Sequence, residues 1–147
     1  MSLDRIFDIA GSGMAAQSIR LNTTASNIAN ANSAASSEDE VYRAKKPIFS
    51  AVQLDVMQQM EMAINGQDDA SRGVQVDGVV ESEAPLDMRY EPHHPKANDD
   101  GYVMYPNVNI VEEMANMISA SRSYQTNVQL AESAKNMLNK TLQLGQR

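Results

Sequence analysis

Apolar positions recur at helical spacing along both ends of the chain and at strand-like spacing through its middle. Near the start, Phe7, Met14, Leu21 and Ile28 fall seven residues apart, and Leu3, Ala10, Gln17, Thr24 and Ala31 occupy the complementary positions. Steps that alternate four and three make an apolar seam of the coiled-coil kind. The second set is only partly apolar, so this seam is weak by itself. Ser2 is placed to cap the helix, and Asp4 lies in its positive first turn. Gly11 and Gly13 each cost such a helix about 1 kcal/mol against Ala. Residues 22–34 are mostly Asn, Thr, Ser and Ala, and the Asn, Ser and Thr compete for backbone hydrogen bonds and make poor helix interiors. The pattern predicts a helix that is marginal alone and small-sided enough for close packing.

The other end carries stronger signals. Pro106 stops what precedes it, and Asn109 followed by Glu112 reads as an N-cap with its capping-box partner. Ile110, Met117, Tyr124, Ala131 and Leu138 form one heptad position, and Met114, Ser121, Val128, Lys135 and Leu142 form the other. Glu112 and Glu113 sit in the first turn and Lys135, Lys140 and Arg147 come late, matching the helix dipole. Gly145 is a natural stop. A helix of about 36 residues would run about 50 Å at 1.5 Å per residue.

Between these ends the period shortens. Val41–Arg43, Ile48–Val52, Val74–Val76, Val79-Val80 and Tyr102–Tyr105 are short β-leaning runs, with turn signals at Asn65-Gly66, Asp77-Gly78 and Asp100-Gly101. Residues 53–63 fit a short helix and a strand continuation equally. The expected fold is mainly α with a small β region. Two long terminal helices pack as a coiled-coil-like hairpin, with a β or extended excursion between them. The expected division is 1–35 (N-terminal helix), 36–105 (acidic middle) and 106–147 (C-terminal helix).

Charge sharpens that division. The net charge is -7, yet residues 1–35 are balanced, residues 106–147 carry +1, and residues 36–105 carry -8. Near-neutral ends pack side by side without repulsion, while the acidic middle stays solvated. The acidic balance argues against nucleic acid, which selects basic surfaces, and against anionic lipid. With no Trp and two Phe, a large aromatic core is excluded; ten Met take part of that role. The absence of Cys excludes disulfides, thiolate metal sites and thiol catalysis. No apolar run approaches the ~18 residues of a membrane span. Asp4, Arg5 and Asp8 interrupt the start, so no cleaved secretory signal is expected.

Candidate chemistry is thin. His93-His94 lies in a loop between Pro92 and Pro95, and two adjacent imidazoles fall short of a tetrahedral metal set. Asp68-Asp69 and Glu112-Glu113 are consecutive, so they do not oppose each other as an acid and a base; a solvated face is the plainer reading. Gly11-Ser12-Gly13 lacks the strand, third Gly and Lys of a phosphate loop. The Met57-Met60-Met62 and Met114-Met117 spacings suit packing better than a soft-metal site. No catalytic residue, cofactor, metal or small-molecule substrate is expected.

Ala25-Ser26-Asn27-Ile28-Ala29-Asn30-Ala31-Asn32-Ser33 resembles the N-terminal signature of bacterial flagellar axial proteins, with Ser33 where that family usually has Thr. Asn109–Met114, continuing from Met117 to Gln125, resembles the matching C-terminal signature. Tyr90–Pro95, Ala97, Gly101–Val103 and Pro106–Asn109 are similar to the C-type proximal rod branch of the flagellar basal-body rod protein family, with Glu91 where Asp is common. The resemblance covers both ends and residues 90–125, and is poor over 53–73.

The resemblance implies a structural subunit of the proximal rod. Such a chain is exported by the flagellar type III apparatus, crosses the periplasm within the basal body, and polymerises through its terminal helices into a hollow torque-transmitting tube. Its implied partners are other rod subunits, the base of the inner-membrane ring, the export apparatus and copies of itself. The expected interface residues are Phe7, Met14, Leu21, Asn27, Ile28, Asn30 and Asn32 at one end, and Ile110, Met114, Met117, Tyr124, Val128 and Leu138 at the other. Alternatives are a coiled-coil adaptor or secreted interaction protein outside the flagellum, and a small acidic metalloenzyme using His93-His94.

Overall fold

The computed structural model describes residues 3–52 and 73–145. Its elements are α1 (Leu3–Asn30), a 3-10 turn (Glu38–Glu40), β1 (Lys45–Ala51), β2 (Val74–Glu81), β3 (Asp87–Tyr90), β4 (Tyr102–Tyr105) and α2 (Ile110–Gly145). The protein is mainly helical with a small β region, as the periodicities predict. Ser2, Met57, Met60, Met62, Asn65-Gly66, Asp68-Asp69 and the ambiguous 53–63 run lie outside the described residues.

α1 continues through the Asn- and Thr-rich run because those side chains are occupied locally. Thr23 Oγ1 donates to the Ile19 carbonyl at 2.8 Å and Asn30 Nδ2 to the Ser26 carbonyl at 2.8 Å, both four residues back. They therefore do not compete with the helical ladder. The helix ends at Asn30, whose carbonyl accepts from the Ser33 hydroxyl at 2.7 Å and the Ser33 amide at 3.0 Å. At the other helix, Asn109 Oδ1 accepts from the amides of Val111 at 3.1 Å and Glu112 at 3.3 Å, which is the predicted N-cap.

The strands form two two-stranded sheets. β1 and β2 make one ribbon; Val52 N donates to Gly73 O at one end and Ser82 N to Ala44 O at the other, which sets them antiparallel. Asp77-Gly78, expected as a turn, lies inside β2. Pairing with β1 overrides its turn preference: Gly78 has no positive φ, and Asp77 Oδ1 accepts from the Ser50 hydroxyl at 2.7 Å. Val41–Arg43, expected as a strand, is irregular, and β3 was not expected at all.

β3 and β4 pair antiparallel, with Asp87 opposite Tyr105 and Tyr90 opposite Tyr102. Ala35 adds a single bridge to Met104 of β4. The predicted Asp100-Gly101 turn is present. Gly101 has φ +82, and a Cβ there would stand 2.9 Å from a Tyr90 ring carbon. Asn98 Oδ1 braces the turn by accepting from the amides of Asp100 and Tyr102.

The chain divides into two compact units. One comprises residues 19–48 and 78–120. Here Arg20 of α1 donates to Asn116 Oδ1 of α2 at 2.9 Å, and Val103 and Ala120 are fully buried. The other has as its described residues 3–18, 49–52, 73–77 and 121–145. Here Gly13 of α1 lies against the Asn127 amide of α2: a Cβ would be 2.6 Å from Nδ2. Ser12 Oγ accepts from Val74 N, and Ala10, Ala16 and Ala134 are buried. In each unit the two helices lie side by side.

Candidate assembly surface

The seam that the chain buries is not the seam of large residues. On α2 the buried positions are Glu113, Ala120 and Ala134, one heptad phase away from the predicted stripe. On α1 they are Ala10, Ala16, Thr23, Thr24 and Asn27, with Ala31 just past its end. Small side chains face inward because they let the backbones approach closely, as at Gly13 and Asn127. The large apolar side chains are pushed to the shoulders. Ile110, Met114, Tyr124 and Leu138 are exposed, while Met117 and Val128 are half-buried. On α1, Phe7, Met14, Leu21 and Ile28 are likewise half-buried. Glu113, expected on a solvated face, is buried in the first turn of α2, where the helix dipole favours its charge.

The signature residues of α1 take separate roles. Asn27 is 1% exposed. Its Nδ2 donates to the Lys45 carbonyl at 2.8 Å, and its Oδ1 accepts from Lys45 N at 2.9 Å and from the Tyr42 hydroxyl at 2.9 Å. The Ser26 and Tyr42 hydroxyls lie 3.1 Å apart. Asn27 thus bonds β1 of its own chain. A side-chain amide presents one donor and one acceptor side by side, which matches the N–H and C=O of one strand residue. Asn30 is bonded back within α1, and Asn32 is exposed.

A second asparagine, missed from sequence, completes this brace. Asn107 Oδ1 accepts from Ala44 N at 2.9 Å, and its Nδ2 donates to the carbonyls of Ser82 at 3.2 Å and Ala84 at 2.9 Å. Successive amides at 44 and 45 are thus held by one side chain from α1 and one from the entry to α2. Nothing in the spacing of Asn107 distinguishes it from an ordinary loop asparagine.

Beside this brace, in the same unit, is a cleft of about 350 Å³. Asn32 and Ile110, two of the predicted residues, line it together with Asp87, Arg89, Tyr105 and Val111. Arg89 donates through Nε and Nη2 to Asp87 Oδ2, at 3.0 and 2.8 Å, and its guanidinium stacks 4.6 Å from the centre of the Tyr105 ring. The Asp87 hydrogen bond and charge raise the Arg89 pKa above its already high ordinary value. Desolvation, then the neighbouring Glu91 carboxylate, raise the Tyr105 phenol pKa; its hydroxyl donates to Glu91 Oε2 at 3.3 Å.

The wall is therefore a fixed polar surface. It has no arrangement of nucleophile and base. His94 Nδ1 accepts from the Lys96 amide at 3.1 Å, a local turn bond. Among the described residues, no group of three or more His, Cys, Asp or Glu could hold a metal ion.

A braced pair of terminal helices that leaves its large apolar side chains outward defines a subunit built to pack against others. Residues 7–34 match the family described as Flagella basal body rod protein, and residues 99–144 match that described as Flagellar basal body rod FlgEFG protein C-terminal. The match continues between those segments. The chain is 50% identical over 146 residues to Flagellar basal-body rod protein FlgC of Salmonella typhimurium, covering 99% of this chain and 100% of that one. It is 48% identical to the FlgC of Escherichia coli O6:H1 over the same span, and 33% identical to that of Borreliella burgdorferi over 97% of each chain. The chain belongs to the flagellar basal-body rod protein FlgC family.

Proposed function

We propose that this chain is a structural subunit of the proximal rod of the flagellar basal body, built in through its two terminal helices. The observation that carries the reading is the likeness to FlgC rod proteins along 99% of the chain. The packing supports it. Small residues close the helix pair, so Ile110, Met114, Tyr124 and Leu138 remain available to neighbours, with Phe7, Met14, Leu21, Ile28, Met117 and Val128 half-covered beside them. Asn32 faces outward at the cleft. Asn27 and Asn30 act from within, Asn27 by fixing β1 against α1.

On this reading the ends (1–35 and 106–147) assemble, and the acidic middle (36–105) is held to them by the Asn27 and Asn107 braces. The chain joins other rod subunits and copies of itself, meets the base of the inner-membrane ring, and lies within the periplasm. It reaches that place through the type III export apparatus. Helices with small, polar flanks thread unfolded and gain stability on packing, which delays polymerisation until arrival. It performs no catalysis. The alternative, an adaptor outside the flagellum, predicts binding to one partner at fixed stoichiometry.

The test deletes residues 1–30 and, separately, 110–147 in a flagellated host that has only this copy. Motility and the subunit's presence in purified basal bodies are scored. Loss of both in each deletion supports rod assembly; persisting motility with a cytoplasmic protein supports the adaptor. Ile28→Asp, a charge on a half-buried shoulder, is expected to block incorporation while leaving export largely intact. Normal swimming by that strain would contradict the packing role.

A further inference from the structure

We propose that the cleft at the head of α2 is a socket for the C-terminal half of α2 from a second copy of this chain. This rests on the rod reading above and adds which two surfaces meet.

Pro106, Val108 and Ile110 line the cleft beside its polar wall. It opens onto a ridge on the same helix: Val111 is 76% exposed, and Met114 and Ile118 are also exposed. Large apolar side chains placed together outside a chain's own packing mark a contact surface. The rim is negative. Glu112 stands exposed beside Val111, and Glu91 is held against Tyr105; the Asp87 charge is already answered by Arg89.

The last third of α2 is the complement. Met137, Leu138, Leu142 and Leu144 are exposed there. Lys135 and Lys140 accompany them, and neither makes an ion pair among the described residues. Two lysines against the single acid Glu132 leave that segment positive, as the socket rim is negative. Lys135 shares a helix face with Leu138 and Leu142, at steps of three and four, so apolar and charge complementarity coincide there.

Socket and helix end are opposite ends of one 36-residue helix, so the occupant is the helix end of another molecule. Because socket and helix end are different surfaces, each contact leaves one of each free. Contacts of that kind propagate along an open assembly instead of closing a two-fold dimer.

The chain has no cysteine, so introduced pairs report without background. Val111→Cys and Leu142→Cys are combined in one chain, and basal bodies are purified and treated with a short bismaleimide. The proposal expects dimers and higher multiples of 16.1 kDa, at least tenfold above either single substitution. Adding Glu112→Lys should cut the yield at least fivefold, and Lys135→Glu in the same chain should restore it. If Val111→Cys is not incorporated, Met114→Cys with Leu138→Cys makes the same measurement.

Substituted chains that enter the basal body but cross-link no better than the singles overturn the socket. So do adducts whose mass is no multiple of the chain's, because the occupant is then a different protein. Absence of the unsubstituted chain from basal bodies is a different result: it removes the rod reading itself.

Discussion

Replacing Asn27 with Ala tests whether one buried amide holds β1 on α1. The side chain makes three hydrogen bonds of 2.8–2.9 Å and is 1% exposed. Truncation leaves the N–H and C=O of Lys45 without those partners, while the Tyr42 hydroxyl keeps Ser26. Each lost bond is worth about 0.5–1.5 kcal/mol net, and a buried group left unpaired costs about 1–3 kcal/mol. Two orphaned backbone groups therefore predict a loss of about 2–4 kcal/mol, a large share of the stability of a chain this small.

Tyr42→Phe removes the third bond together with the Ser26 contact and should cost about 1–2 kcal/mol. The double variant should lose less than the sum of the two, because both singles remove the same Tyr42–Asn27 bond. The assay is urea unfolding of the purified chain followed by far-UV circular dichroism, with midpoint and slope fitted separately. An Asn27→Ala midpoint equivalent to less than 0.5 kcal/mol of change at unaltered slope would refute the reasoning: Lys45 would then be held by something else (about 0.5 kcal/mol is the ordinary surface-substitution range).

Other consequences are open to the same titration. Gly101→Ala should destabilise by about 1–2 kcal/mol, since φ is +82 and the new Cβ meets the Tyr90 ring; an unchanged midpoint would mean the turn relaxes freely. Gly11→Ala meets no atom within 4 Å and should stabilise α1 by up to about 1 kcal/mol, whereas Gly13→Leu should push the helices apart at Asn127 and lower the midpoint. The raised Tyr105 pKa means the folded state holds the phenol proton more tightly than the unfolded chain does. Stability from this group is complete below the ordinary phenol value of about 10 and is lost as pH rises through the folded value. Urea midpoints between pH 9 and 11 should fall less steeply in Tyr105→Phe; identical slopes would remove both the desolvation and the Glu91 contact from the account.

Local rules settled much of this protein before any tertiary contact was known. The Asn109 cap, the long α2, the Asp100-Gly101 turn and the helix–β–helix order follow from side-chain chemistry within a few residues, where sequence spacing equals spatial spacing. The family was legible for a similar reason, because its signature residues are contiguous. Which face each helix buries was not. Heptad spacing identifies a phase by its large apolar members, but close approach rewards the phase with the smallest ones, and that choice exists only once two helices meet. Asn27 and Asn107 belong to the same class: an amide's partners lie 18 and 63 residues away, and only the fold brings them within 3 Å. Asp77-Gly78 shows the converse, a local turn preference overruled by pairing with a distant strand.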